Sequence, residues 1–321
     1  MRLLQSLVIA SFVALTPLQA QDAPAGGLAA KDIPEIDKKP LDWEIGPDAV
    51  VVKGIGILAG ASAEPASWKG YAQYSVDGEY GDGGKNRIAD VSVTPGFTRS
   101  WLIQNPEPSG CGDAFPQVPG GSASVYAAIR NRYADVDKSD AVDYQNSALG
   151  GVGVRMRVYP PFLLRWSGIT GTDVDMPTFS ATYYNAFTSD SPDPDLETDQ
   201  IQATFRAEVP VPFTVKRSEL QAFKKARSEY LKNAVCDPNF DFDTTPVPKR
   251  PEFPVSLSIE LKASRPTGGN DDKTQFFADI ALKWLQPNSK VGLSVRYRSG
   301  EDLGFEYDRE YLAGVLLRLL E

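Results

Sequence analysis

The chain contains no histidine, and this absence removes several classes of enzyme at once. A Ser-His triad, histidine-based acid and base catalysis, and most zinc sites all require an imidazole. A carboxylate pair such as Glu260 and Asp279 could supply acid and base chemistry, but a salt bridge with Lys262 or Lys283 is the simpler interpretation. We therefore expect no enzymatic activity and no cofactor or metal.

Basic patches and long apolar runs are also missing. The formal net charge is -9, and without a basic cluster the sequence does not predict a nucleic-acid partner. After the first 20 residues no segment approaches the ~20 apolar residues that a membrane-spanning helix needs. If the mature chain crosses a membrane, it must do so with strands closed into a barrel, because no other structure pairs every backbone group in lipid.

The N-terminus has the composition of a secretion signal. Arg2 precedes an apolar run from Leu7 to Leu15, and TPLQA follows before Gln21, so we expect residues 1–20 to be a signal peptide cleaved after Ala20. Residues 21–48 are rich in Ala, Gly, Pro and charge, without periodicity, and predict a mobile periplasmic leader.

Alternation with period two dominates the remaining chain, residues 49–321. In residues 274–285 one face carries Phe276, Ile280 and Trp284, and the other carries Asp279 and Lys283. Eleven segments are strand candidates: 49–60, 68–80, 87–104, 122–133, 151–166, 178–187, 200–211, 253–263, 274–285, 291–298 and 309–320. Because bacterial barrels have even strand numbers, we predict ten or twelve, with the missing or surplus strand in the N-terminal third.

One stretch has helical periodicity instead. Residues 218–235 place Leu220, Phe223 and Tyr230 on one stripe, and Ser218 with Gln221 forms a capping-box pattern. The sequence therefore predicts a helical insertion within residues 213–252, between two strands.

The loops predict a topology. If the last strand ends in the periplasm, the acidic segments 134–148, 189–199 and 264–272 become external loops, which are usually the longer connections. The same count places Cys111, Cys236 and the helical insertion on the periplasmic side. Because these are the two cysteines of a secreted chain, we expect them to form a disulfide.

The signal sequence, the repeated amphipathic strands, the VTPGF segment at 93–97 and the closing segment SVRYRSGEDLGFEYDREYLAGVLLRLL at 294–320 resemble Gram-negative outer-membrane β-barrel proteins of the porin-like class. The resemblance covers most of the mature chain. It implies an all-β transmembrane antiparallel barrel of 10–12 strands with one periplasmic helical insertion, in the outer membrane. It also implies contact with outer-membrane lipid and lipopolysaccharide, and with the barrel assembly machinery.

Basic side chains are numerous on the predicted inward faces. The predicted lumen-lining residues are Arg130, Arg132, Arg155, Arg157, Arg206, Lys262, Asp279, Lys283, Arg296, Arg298 and Arg318. Rows of Arg and Lys favour anions, which predicts a passive channel for small anionic solutes. A structural envelope protein with a closed, fully paired interior is equally compatible. The third alternative is a soluble periplasmic or secreted all-β binding protein, which would bury its apolar faces internally.

Overall fold

The structure, a computed structural model of the chain, describes residues between 39 and 319. The gaps within this range are residues 47–48, 60–67, 82–86, 105–116, 139–140, 159–176, 190–198, 212–213, 238, 241–244, 247, 249–250, 252, 268–273, 287–288 and 303–304. The predicted signal peptide, most of the predicted leader and Cys111 lie outside the described residues.

Twelve strands and one helix make up the described part of the chain. The strands are β1 (Lys39–Ile45), β2 (Ala49–Ala59), β3 (Lys69–Gly81), β4 (Arg87–Gln104), β5 (Gln117–Lys138), β6 (Ala141–Val158), β7 (Thr178–Ser189), β8 (Gln200–Pro210), β9 (Val255–Pro266), β10 (Gln275–Leu285), β11 (Val291–Asp302) and β12 (Phe305–Leu319). Helix α1 (Arg217–Cys236) lies between β8 and β9.

The strands form a closed antiparallel barrel. Each strand pairs with the next along the chain, and β1 closes the sheet by pairing with β12, with Trp43 opposite Leu317. Closure leaves no edge strand with unpaired backbone groups. With an even number of antiparallel strands, β1 begins and β12 ends on the same side of the barrel. The β4–β5 and β8–β9 connections, which carry Cys111 and α1, belong to this side.

The predicted all-β barrel of ten or twelve strands is confirmed, with twelve. The strand that the sequence does not predict is β1. The barrel therefore begins one strand earlier than the predicted boundary between leader and barrel at residues 48 and 49. The sequence of β1, KPLDWEI, is too short and too charged for its alternation to be recognised. Nevertheless Glu44 is buried, whereas Trp43 and Ile45 are exposed.

The β5–β6 hairpin is longer than predicted. Residues 134–138 and 141–148 belong to strands instead of a loop, because β5 continues to Lys138 and β6 begins at Ala141, with Asp135 opposite Tyr144. Asp, Asn and Gln on both sides of this extension remove the apolar alternation that marks a strand in the sequence. The predicted loop at 264–272 is likewise shortened, since β9 continues to Pro266.

Helix α1 confirms the predicted helical insertion. It begins one residue before the predicted start, with Lys216 as N-cap and no side-chain cap, so the predicted capping box at Ser218 is wrong. Phe223 and Tyr230 are buried, and Tyr230 meets the ring of Phe240 edge-on at 5.3 Å. Among the described residues, no helix has the length and apolar character needed to span a bilayer.

Candidate functional site

The two faces of the barrel wall have opposite chemistry. On β10 the inward residues Asp279 and Lys283 are 4% and 8% exposed, whereas Phe276 and Leu282 on the other face are 67% and 48% exposed. The same alternation continues around the wall. Exposed large apolar side chains include Val91, Phe97, Ile129, Val152, Met156, Phe179, Leu261, Val291, Leu293, Val295 and Val315. A water-soluble barrel has the inverse arrangement, with an apolar interior.

The described side chains of the predicted lumen residues all belong to inward faces. Arg130, Arg157, Lys262, Asp279, Lys283, Arg296 and Arg298 are buried, and Arg155, Arg206 and Arg318 are half-buried. The side chain of Arg132 lies outside the described residues. The interior also contains charged residues outside that predicted set, among them Glu44, Lys53, Asp77, Asp90 and Glu260. The sequence alternation places Asp77, Asp90 and Glu260 on the polar faces of their strands, whereas it does not identify Glu44 and Lys53.

Lys53 of β2 joins opposite walls of the barrel. Its Nζ lies 3.0 Å from an Asp77 carboxylate oxygen on β3 and 3.4 Å from a Glu260 oxygen on β9, and it also pairs with Asp279 on β10. In the closed order β2 is separated from β10 by β1, β12 and β11. The Lys53 side chain therefore crosses the lumen rather than bridging neighbouring strands.

Two arginines of β11 extend these contacts. Arg296 donates to Asp279 at 2.9 Å and, through Nε, to Glu44 of β1 at 2.8 Å. Arg298 lies 3.5 Å from both Asp77 and Asp279. Several charged groups are less than 5% exposed, so each needs its partners to offset the cost of desolvation.

Two further cations join the cluster through Glu260 and a third joins through Glu44. Arg206 pairs with Glu260 at 2.7 Å and Lys262 at 3.4 Å, while Lys283 lies 4.0 Å from Glu44. We call this set the central ion-pair network: Glu44, Lys53, Asp77, Arg206, Glu260, Lys262, Asp279, Lys283, Arg296 and Arg298. It contains six cations and four carboxylates and links β1–β3 with β8–β11.

The opposite part of the interior is more loosely filled. Arg130 of β5 donates to both carboxylate oxygens of Asp90 on β4 at 2.9 Å from Nε, and to Gln202 of β8 at 3.3 Å. The hydroxyl of Tyr126 lies 2.8 Å from that of Thr182 on β7. These contacts link the strands through one buried ion pair, Arg130 with Asp90, and through hydrogen bonds to neutral groups.

Arg155 of β6 has a different environment from Arg130, Arg206, Arg296 and Arg298, which all pair with carboxylates. Its Nη1 donates to Gln73 at 2.6 Å, and its guanidinium lies 5.0 Å from the centre of the Tyr126 ring. Within the part of the chain that the structure describes, no carboxylate pairs with it. Gly153 leaves room for the Tyr126 ring in this position, because a Cβ at residue 153 would come within 2.6 Å of it.

A polar cavity of about 80 Å³ lies between Arg155 and the ion-pair network. Hydroxyl groups from five strands line it, including Ser75, Ser92, Tyr126, Ser180 and Thr204. Its charged lining residues are four cations (Arg130, Arg155, Arg206 and Lys262) and two carboxylates (Asp77 and Asp90). At roughly 10–15 Å³ for each water, such a space holds about five to eight waters. We call it the lumen cavity.

No protein-family model matches the chain, and no curated protein matches its sequence significantly. Function must therefore be inferred from the barrel itself.

The predicted Cys111–Cys236 disulfide stays a prediction. Cys236 is the last residue of α1 and is not a free thiol. The β4–β5 connection that carries Cys111 begins and ends on the same side of the barrel as α1. The topology therefore agrees with the predicted pairing.

Proposed function

We propose that this protein spans the bacterial outer membrane and provides a narrow passage for small anions. The observation that carries the first part is the inverted wall, with charged side chains inside and large apolar side chains exposed outside. In water such an exterior would be an aggregation surface, whereas in a bilayer it matches the hydrocarbon.

The height of the apolar band supports this location. On β10, Phe276 and Trp284 mark the ends of an outward row that contains Ile280 and Leu282. Eight residue steps at roughly 3.4 Å cover about 27 Å along the strand, or about 20 Å along the axis of a barrel with strands tilted by about 40°. Outer-membrane barrels have apolar bands of about 25 Å with aromatic side chains at both borders.

The pairing of backbone groups also supports the proposed membrane location. Each of the twelve strands has two partners, because β1 pairs with both β2 and β12. In hydrocarbon an unpaired backbone group costs several kcal/mol, and closed barrels avoid that cost. The predicted signal peptide at residues 1–20 is consistent with export to such a membrane.

The proposal of an anion passage rests on the lumen cavity. Cations outnumber carboxylates on its lining by four to two, and Arg155 has no carboxylate partner among the described residues. An inward cationic excess lowers the electrostatic barrier for anions and raises it for cations. The ion-pair network fills the adjoining part of the interior, and its members Asp77, Arg206 and Lys262 also line the cavity, so the passage must be narrow.

A closed structural barrel is the second candidate. It is favoured by the contacts of Lys53 with Glu260 and Asp279, which join opposite walls. A soluble all-β binding protein is disfavoured because its apolar side chains would have to be internal, and Leu293 and Ile280 are exposed instead.

Planar-bilayer recording tests the proposed passage. In a KCl gradient the inserted protein is expected to show small conductance steps, with a reversal potential shifted towards the equilibrium potential of chloride. Arg155→Glu should move the reversal potential towards potassium, because it reverses the charge of a lining residue. Lys225→Glu makes the same charge change on an exposed position of α1 and should leave selectivity unchanged.

Three results are decisive for this proposal. Chloride preference that is weakened by the Arg155 variant supports the anion passage. Potassium preference in the wild type contradicts it. Inserted barrels that carry no current would favour the closed structural barrel.

A further inference from the structure

Arg155 combines a fixed position with unused donors. A guanidinium has five N–H groups, and the described contacts of Arg155 use one of them, on Gln73. The guanidinium lies over the Tyr126 ring, 5.0 Å from its centre, in a cation–π contact, and Gly153 leaves room for the ring. Both of these contacts are with neutral groups, and among the residues that the structure describes no carboxylate pairs with the guanidinium.

The other cations of the lumen cavity are already compensated. Arg130 donates hydrogen bonds to both carboxylate oxygens of Asp90, and both Arg206 and Lys262 pair with Glu260. Their carboxylate partners hold them against the wall. A negatively charged solute in the cavity would therefore find its strongest unopposed attraction at Arg155.

Hydroxyl groups complete the polar surroundings. Ser75 and Ser92 are hydrogen-bonded to each other at 2.7 Å, and since only one of the two protons is used in that bond, one remains for another acceptor. Ser180 and Thr204 line the same cavity from β7 and β8. A planar guanidinium with nearby hydroxyl donors suits a group with two or more oxygens, such as a carboxylate or a phosphate, better than a spherical chloride ion.

We propose that the lumen cavity is a binding site for one small oxyanion, held by the guanidinium of Arg155 and by neighbouring hydroxyls. The inference deepens the proposed anion passage and rests on it only in requiring that solutes reach the lumen. The cavity volume of about 80 Å³ limits the ligand to a simple carboxylate or an inorganic oxyanion, or to the acidic group of a larger solute.

Equilibrium titration of the folded protein in detergent tests this site without any conductance. Calorimetry with sodium acetate and with sodium phosphate as separate probes distinguishes a carboxylate site from a phosphate site, and sodium chloride at equal ionic strength is the reference. Saturable binding of at least one oxyanion is expected. Arg155→Gln should weaken it by about tenfold to a hundredfold, the effect of losing a charge-assisted hydrogen bond.

Two variants separate a binding role from a structural one. Arg155→Lys keeps the charge but not the planar fork, so it should reduce the preference for oxyanion over chloride. Lys225→Gln removes a cation from the exposed surface of α1 and should bind like the wild type. Heat-modifiable migration on gels verifies that each variant is folded.

Unchanged binding in the folded Arg155→Gln variant would overturn the site. So would an absence of saturable oxyanion binding in the wild type. If that absence accompanied a chloride-preferring conductance, the site would fail while the proposed passage stood. If the wild type bound an oxyanion and the Arg155→Gln variant did not, but the wild type carried no current, the binding site would be supported and the proposed passage contradicted.

Discussion

Replacement of Asp279 by asparagine is expected to destabilise the folded barrel by about 3–5 kcal/mol, the usual cost of removing one partner from a buried ion pair. Asp279 is 4% exposed and is the shared partner of Lys53, Arg296 and Arg298. Asparagine has nearly the same shape, so the variant leaves three cations in place without their common carboxylate. The free energy of unfolding, measured by urea titration of the protein in lipid vesicles, checks this value.

Two control variants test whether the loss of the buried ion pairs of Asp279 causes this destabilisation. Glu229→Gln removes a carboxylate whose partner, Lys225, is 80% exposed, and it should change stability by less than about 1 kcal/mol. The double variant Asp279→Asn with Arg296→Gln removes one of the excess charges and should recover part of the loss. A stability change in Asp279→Asn as small as that in Glu229→Gln would show that the network does not hold opposite walls together.

Arginine introduced at Ile280 is expected to cost about 2–4 kcal/mol in a bilayer, because this position lies halfway between Phe276 and Trp284 on the outward row. The same change at Val291, a 53% exposed residue at the beginning of β11, should cost only about 0–1 kcal/mol. Val291 lies two residues beyond the level of Trp284, since Trp284 is opposite Leu293. Urea unfolding in vesicles measures the change in the free energy of unfolding for each of the two substitutions.

The depth dependence is the informative part of this experiment. In a water-soluble protein an exposed Ile280→Arg change would have an effect within about 0.5 kcal/mol, similar to that at Val291. A large cost at Ile280 with a small cost at Val291 is the result expected for a wall that faces hydrocarbon. Equal small costs would contradict that orientation.

The sequence predicts the orientation of side chains better than their partners. Period-two alternation correctly assigns Asp279 and Lys283 to one face and Ile280 to the other, because every second residue of a strand points the same way. It also predicts the even strand number through the general property of bacterial barrels. Both predictions depend on local chemistry, which a single segment contains.

The contacts across the lumen depend on the closure of the barrel and on the stagger of its strands. Neither property can be deduced from a single segment of the sequence. Lys53 and Asp279 are 226 residues apart in the chain and meet only because the twelve-stranded sheet curves back on itself. Likewise the sequence identifies Arg155 as one inward cation among many. Its lack of a carboxylate partner among the described residues becomes visible only when Gln73 and Tyr126 are placed beside it.

Strand ends were predicted least well, for a physical reason. β1 and the distal part of the β5–β6 hairpin have charged or amide side chains where an apolar alternation would identify a strand. They are nevertheless strands, because backbone pairing with β12 in one case and within the hairpin in the other satisfies their hydrogen bonds.

Electron paramagnetic resonance of a spin label at position 280 tests most directly whether the apolar face meets lipid. Ile280→Cys, labelled in vesicles, is compared with Ser294→Cys on the inward face of β11. At position 280 the label should relax strongly with dissolved oxygen, which concentrates in hydrocarbon, and weakly with a water-soluble nickel chelate. Strong relaxation of the label at position 280 by the nickel chelate would contradict a membrane-facing exterior.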